Sequence, residues 1–336
     1  MSLPPSKGRS SVSPKTSKWA LILSLVWIGL LTLVVFNRQN LEDWWRLRSY
    51  HPPLAIVNLA TSDQLTAYAR KVFYVNAPAI DNKTTFNQLC PNNGGEQTIV
   101  LGCYHSNQQG IYLLNVSDPR LNGVEQVTAA HEMLHAAYDR LNSQQKKQVD
   151  DWLWSYFNHG LSDQRIKKTM AAYKHSEPND LVNEMHSVFG TEVANLPPQL
   201  ENYYKRYFEN RSQIVAYANS YQAAFTSLQS QVQQDDQRLT SLQSVISVDE
   251  NDLKAKQAQL DTQRQTLETL RASNNFAAYN AAVPGYNAMV AAYNNQVATI
   301  KVLIDRYNLL VNARNAIALE EQQLNNELSS SVSTFQ

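Results

Sequence analysis

Cysteine is almost absent from this sequence. Cys90 and Cys103 are the only two in 336 residues, and no CxxC pair accompanies them. Two such ligands make a poor cysteine zinc site. An excess of charge of one sign is also missing, because 29 basic residues balance 29 acidic ones. That leaves no global electrostatic basis for binding nucleic acid. Glycine and proline are scarce, at ten and twelve, which points to extensive regular structure. A hydrophobic content of 43% is normal for a chain with a packed core.

What the chain does have, near its start, is a long uncharged run. Residues 19–36, WALILSLVWIGLLTLVVF, would span roughly 27 Å as a helix, close to the hydrocarbon thickness of a bilayer. Lys7, Arg9, Lys15 and Lys18 precede it, and no acidic residue occurs before Glu42. By the positive-inside rule, residues 1–18 stay cytoplasmic, 19–36 form a single-pass signal anchor, and all that follows is extracytoplasmic. A cleaved signal peptide is the competing reading, but VVFNRQN offers no small-x-small cleavage site. The compact anchor and the lack of eukaryote-specific features favour a bacterial cell membrane. In an exported protein, Cys90 and Cys103 read as a disulfide across a turn, worth about 3 kcal/mol by chain entropy.

Residues 37–54 read as a juxtamembrane linker, with Trp44 and Trp45 suited to the interface and Pro52-Pro53 ending it. Residues 55–210 form the expected main domain. There, Thr61-Ser62-Asp63 is a candidate N-cap for a helix to Tyr74. Residues 98–105 and 110–116 are rich in β-formers and read as a hairpin. Helices follow over 123–141, 143–157 and 163–174, and another opens at Glu177-Pro178 and stops at Gly190. Residues 211–336 read as an antiparallel coiled-coil hairpin. A heptad register runs from Tyr221 through Leu228, Asp235, Leu242 and Leu253 to Leu270 and resumes from Tyr286 to Val311. Pro284-Gly285 is the expected break between the arms. Polar seam positions leave self-association, or a surface partner for the coiled coil, open.

The motif that carries chemistry is His131-Glu132-Met133-Leu134-His135. Four residues along a helix turn about 400°, so the two histidines leave one face one turn apart. Both can reach one zinc ion, and Glu132 can hold and deprotonate a metal-bound water. A metzincin site would need a glycine and a third histidine within the next six residues. Tyr138 and Leu141 stand there instead. A second helix must therefore supply the third ligand. Candidates are Glu184, Glu192, His186 and His175.

VTAAHEMLHAAYD, together with Asn183-Glu184-Met185-His186-Ser187, resembles the two active-site helices of gluzincin metallopeptidases of the thermolysin type. The resemblance covers those two helices rather than the whole chain. His135 and Glu184 are 49 residues apart, further than in thermolysin, which marks a distant branch. It implies Glu184 as the third zinc ligand, with Glu192 the next choice. Asp139 shares a face with His135 and, like Ser187, is a candidate to support the ligands; an exposed ion pair is the other role for Asp139. Tyr138, Tyr173, His175 and His186 are candidates to stabilise an oxyanion. In zincins an upstream edge strand pairs with extended substrate, and either strand of the 98–116 hairpin could serve.

The expected fold is a helix-rich α+β zincin-like domain with an N-terminal transmembrane helix and a C-terminal coiled-coil hairpin. The expected function is zinc-dependent hydrolysis of peptide or protein substrates outside the membrane. Two alternatives are a surface scaffold or adhesion protein with a structural or vestigial zinc site, and a hydrolase of cell-wall peptide cross-links.

Overall fold

The computed structural model describes residues 18–91, 101–106, 108–176 and 178–329. The segment before Lys18, expected to be cytoplasmic, the start of the first expected strand at 98–100, Glu177 and the tail 330–336 lie outside the described residues.

Helix α1, Lys18–Phe36, is apolar along its length, and its large side chains are exposed. Among the described residues no single helix is long and apolar enough to cross a membrane; Ile22–Phe36 and α2, Arg38–Ser49, pass that test together but bend by 64°. The expected linker is thus a helix, and it is docked. Asp43 of α2 is buried, accepts two bonds from Arg140 at 2.8 and 3.0 Å, and meets Lys71 at 2.9 Å. Arg46 donates to the carbonyl of Gln108. Trp44 and Trp45 stay exposed.

Helices α3, Leu54–Ser62, and α4, Ala67–Val75, follow. Thr61 and Ser62 therefore close a helix rather than open one. The apolar run after Pro53 buries Ile56, Leu59 and Ala60 and fixes α3 there. Gln64 then turns the chain at φ 48°. Thr66 is the real cap, accepting from the amide of Ala69 at 3.2 Å.

The sheet has three strands: β1, Ala79–Asp81; β2, Gly102–His105; and β3, Gly110–Leu114. The order is β1-β3-β2, with β1 parallel and β2 antiparallel to β3. The hairpin is present, shorter than expected, with β3 in the middle. Between β1 and β2 lies α5, Lys83–Leu89, and the next residue, Cys90, is disulfide-bonded to Cys103 of β2.

After a short 3-10 turn, Pro119–Leu121, come α6, Val124–Asp139; α7, Ser143–His159; α8, Gln164–Ser176; α9, Leu181–Glu192; and α10, Pro198–Tyr204. Eleven of the sixteen residues of α6 are buried, which makes it the axis of the core. The fourth helix of this series, α9, does not stop at Gly190 but runs through it. A Cβ at Gly190 would lie 2.5 Å from Leu134 Cδ1 and 2.8 Å from Tyr204. Glycine is there to let α9 approach α6, not to end a helix.

Helices α11, Arg211–Ala272, and α12, Phe276–Leu328, form the antiparallel hairpin. Cross-arm pairs run in opposite order along the two helices: Gln229 with Glu321, Asp236 with Arg314, Lys256 with Gln296. The turn falls at 273–275, not at Pro284-Gly285. Asn274 takes φ 55°, which Asn tolerates, and Asn275 caps α12. Pro284 sits inside α12, where packing along the heptad seam outweighs one missing hydrogen bond. In the return arm, Leu303 occupies the seam and Ile304 is exposed.

The base of α11 belongs to the core. Ile214 and Ala218 pack with the residues of α6 and α9, and Leu228, Leu324 and Leu328 cover Val124 at the start of α6. Arg211 is buried on the carbonyls of Val193 and Ala194. A boundary at 210/211 matches the helix start but does not divide the packing.

The carboxyl of Asp43 is lowered to about 2: burial pushes it up, but bonds from Arg140 and Lys71 outweigh that. A depressed folded-state pKa stabilises above the usual carboxylate value of about 3.9, and the gain fades as pH falls toward about 2. Asp43→Ala strands a buried cation and is expected to cost about 3–5 kcal/mol at pH 7. Urea unfolding of both proteins in detergent from pH 7 to pH 2 checks this, since the gap should close only in the acid limb.

Candidate metal centre

The centre starts from helix geometry. His131 and His135 are one turn apart on α6, and their Nε2 atoms face each other at 2.9 Å. Helix α9 packs across α6 at the Gly190–Leu134 contact. This sets Glu184, six residues earlier on α9, against the histidines. Glu184 Oε1 lies 3.3 Å from His135 Nε2, and Oε2 lies 3.5 Å from His131 Nε2. All three side chains are largely buried, and together they form a group able to hold a metal ion.

The donor set suits a tetrahedral divalent cation. Ligand atoms about 2.0–2.1 Å from such an ion lie about 3.3 Å from one another. The two histidine nitrogens, 2.9 Å apart, and the carboxylate approaches of 3.3 Å by Oε1 to His135 and 3.5 Å by Oε2 to His131 lie around that value, and one ligand atom from each residue falls within 4.8 Å of the other two. Glu184 Oε2 is buried without a close hydrogen bond; the His131 ring faces it at 3.5 Å, and a cation seated between the ligand atoms would satisfy it. Two imidazoles and one carboxylate leave a fourth position open, as hydrolytic zinc sites require.

The electrostatics agree. Burial acts against a charge on His131, yet Glu184, Glu132 and Glu192 outweigh it and raise its pKa to about 9. Burial likewise opposes ionisation of Glu184, but the two histidines hold its pKa below the usual value, and the Tyr173 hydroxyl contributes. The centre is therefore a well of negative potential. His186 differs: burial first, then the neighbouring histidines, push it down to about 3. It is fully buried, bonded to the Tyr203 hydroxyl at 2.9 Å, and no part of the metal group.

The centre opens into a cavity of about 370 Å³ lined by Gly102, Tyr104, Glu132, Tyr173, Glu192 and Tyr221. Strand β2 forms its rim. Leu101 accepts from Leu114 at 2.8 Å, and with the register Cys103↔Tyr112 this turns the main-chain groups of Gly102 and Tyr104 to the edge that has no partner strand among the described residues. β3 has partners on both sides and cannot serve. A Cβ on Gly102 would lie 2.6 Å from Thr128 Cγ2 and 2.8 Å from Glu132 Oε1. Glycine thus lets the edge strand lie directly on Glu132.

Other expectations meet different outcomes. Glu192 lies at the end of α9, not beyond it, and its carboxylate is held by Arg165 and Gln222. It lends charge to the centre without joining the ligand group. Asp139 accepts from the Tyr104 hydroxyl at 3.1 Å and faces Lys146 at 3.9 Å, the ion-pair alternative. Ser187 is buried, and its hydroxyl finds no hydrogen-bond partner. Tyr138 is bonded to Asp150 and His175 is exposed, which leaves Tyr173 as the oxyanion candidate lining the cavity. The Cys90–Cys103 disulfide is formed, so a second cluster of these residues with His105 offers no thiolate.

Two contributors went unread in the sequence. Gly102 inside a β-rich run was a usable sign of close backbone approach. Tyr221, the first seam residue of the coiled coil, carried no sign that it faces the cavity. Comparison of the chain with protein families, curated proteins and solved structures finds no match in any of the three.

Removing Glu184 should weaken metal binding by more than about 100-fold, beyond the usual cost of losing a supporting group. Glu192→Gln should keep one equivalent of metal. Titration against a chelator, with metal content by mass spectrometry, distinguishes the two.

Proposed function

We propose that this chain is a membrane-anchored, extracytoplasmic zinc peptidase of a distant gluzincin-like branch, on a bacterial cell surface. The observation that carries it is the convergence of His131, His135 and Glu184 beside Glu132, under the free edge of β2. A structural zinc site needs neither a neighbouring carboxylate nor an open edge strand.

His131, His135 and Glu184 would hold the zinc. When bound, the ion polarises the scissile carbonyl and acidifies water. The main-chain groups of Gly102 and Tyr104 pair with an extended substrate and lay its backbone over Glu132. Glu132 accepts the proton of the attacking water and passes it to the leaving amine. Tyr173 stands beside Glu184 as a donor to the developing oxyanion.

The reach of the hairpin, whose arms have 62 and 53 residues, favours a second reading: a surface scaffold or adhesion arm with a structural zinc site. One assay separates them. Zinc content and cleavage of a broad peptide library, with peptidoglycan fragments included, are measured for wild type and Glu132→Gln. The peptidase reading expects zinc in both and a loss of about 10²–10⁴-fold in the variant. Zinc in both with no cleavage by the wild type would sink it. Gly102→Val should retain zinc yet lose roughly 100-fold in kcat/KM, because the rim strand must lift off Glu132.

A further inference from the structure

A second cavity, of about 1010 Å³, adjoins the metal cavity. Tyr104, Ser106 and Asp139 line both. The Tyr104–Asp139 hydrogen bond, 3.1 Å long, therefore stands at the junction of the two. At its other end the second cavity is lined by Val35 and Phe36, the last residues of the apolar helix α1, and by Arg38 and Arg46 of α2. Val35 and Phe36 are 71% and 81% exposed. The edge strand β2 passes from one cavity to the other, from Ser106 toward Gly102.

Helix α2 is held in this placement by several contacts. Helix α2 is tied by Asp43 to Arg140, the residue that caps α6. It is tied again by Arg46 to Gln108, beside β2, and Tyr50 just after it donates to the carbonyl of Pro78 at 2.8 Å. The end of the apolar helix thus holds a fixed position relative to both the ligand helix and the substrate edge. A flexible tether would let the cleft face any direction; these contacts point one end of the groove at the anchor.

From this geometry we infer that the substrate is the juxtamembrane segment of another membrane-anchored polypeptide, which enters at the α1 end and runs along β2 to the metal centre. The inference rests on the peptidase reading and on α1 as a membrane anchor. From Ser106 to Gly102 an extended chain covers about 13 Å at roughly 3.3 Å per residue. Crossing the headgroup region adds about two residues. The scissile bond then falls within roughly ten residues of the bilayer. The occupant is an extended polypeptide because the groove runs along a strand edge left unpaired among the described residues, and the aliphatic and phenyl side chains of the second cavity, Val35 and Phe36, lie at its membrane end.

The test uses the full-length protein with zinc, reconstituted in phosphatidylcholine vesicles with one of two single-pass probes. Both carry an apolar span of about 20 residues and the same randomised segment, which begins about six residues from the span in one and about forty in the other. Both probes share the same surface concentration, so tethering alone favours neither. The near segment should be cut at least tenfold faster, with Glu132→Gln inactive on both. Equal cutting, or faster cutting of the distant segment, overturns the inference and leaves the peptidase reading intact. Cutting of neither probe, with zinc bound, overturns both. If empty vesicles accelerate cleavage of the untethered segment as much as tethering does, the second cavity holds lipid headgroups and the inference fails.

Discussion

The contact between α6 and α9 is the constraint on which the centre depends. Two histidines one turn apart follow from helix geometry alone, but a third ligand from a distant helix requires the two backbones to come close. Gly190 permits that approach, since any side chain there would collide with Leu134 and Tyr204. The same contact fixes Glu184 opposite His131 and His135. Around it the core is built of residues that leave no freedom to slide: Met133, Leu134, Val188 and Phe189 are all buried. Close-packed interiors resist small displacements, which is what three ligand atoms within a few ångströms of one another demand.

A second close approach organises the cavity. Gly102 brings β2 onto Glu132, and Cys103, the next residue, is bonded to Cys90 behind it. The disulfide and the pairing to β3 hold the strand in place. Burial and the charge of Asp139 raise the Tyr104 hydroxyl to about 12, so it remains a donor to Asp139 across the working range. Two points on one four-residue strand are thus held against two points on α6, Gly102 at Glu132 near the middle of the helix and Tyr104 at Asp139, its last residue.

Much of this was legible in the sequence because it follows short periods. The heptads of the first arm appear in the structure at the residues expected, from Tyr221 to Leu270, Gln263 excepted. The HEMLH helix and the cysteine pair are local patterns too. The errors share another cause: local signals overridden by packing. Pro284-Gly285 reads as a break, yet a long apolar seam carries the helix past it. Gly190 reads as a helix stop, yet it is a contact surface. Thr61-Ser62-Asp63 reads as a cap, but the apolar face of Ile56, Leu59 and Ala60 starts a helix earlier. Residues 38–49 read as a linker because Asp43 gives no hint in the sequence of partners 28 and 97 residues away.

Those distant partners explain why an ion cluster, rather than an apolar seam, joins α2 to the domain. A buried charge pair is a weak source of net stability, because desolvation consumes most of its attraction. Its advantage is directional. A carboxylate that takes two guanidinium bonds accepts one orientation of that group, whereas apolar side chains pack acceptably at several. Arg140 caps the helix that bears His131 and His135, so the angle of α2 is referred directly to the candidate metal group. Burial at Asp43 also raises the cost of undocking, since a freed α2 would leave Arg140 without its carboxylate. Helix α2, the helix that bears His131 and His135 and the edge strand are therefore joined by direct contacts, and the direction in which α2 leaves the domain is set by chemistry at Asp43 and Arg46.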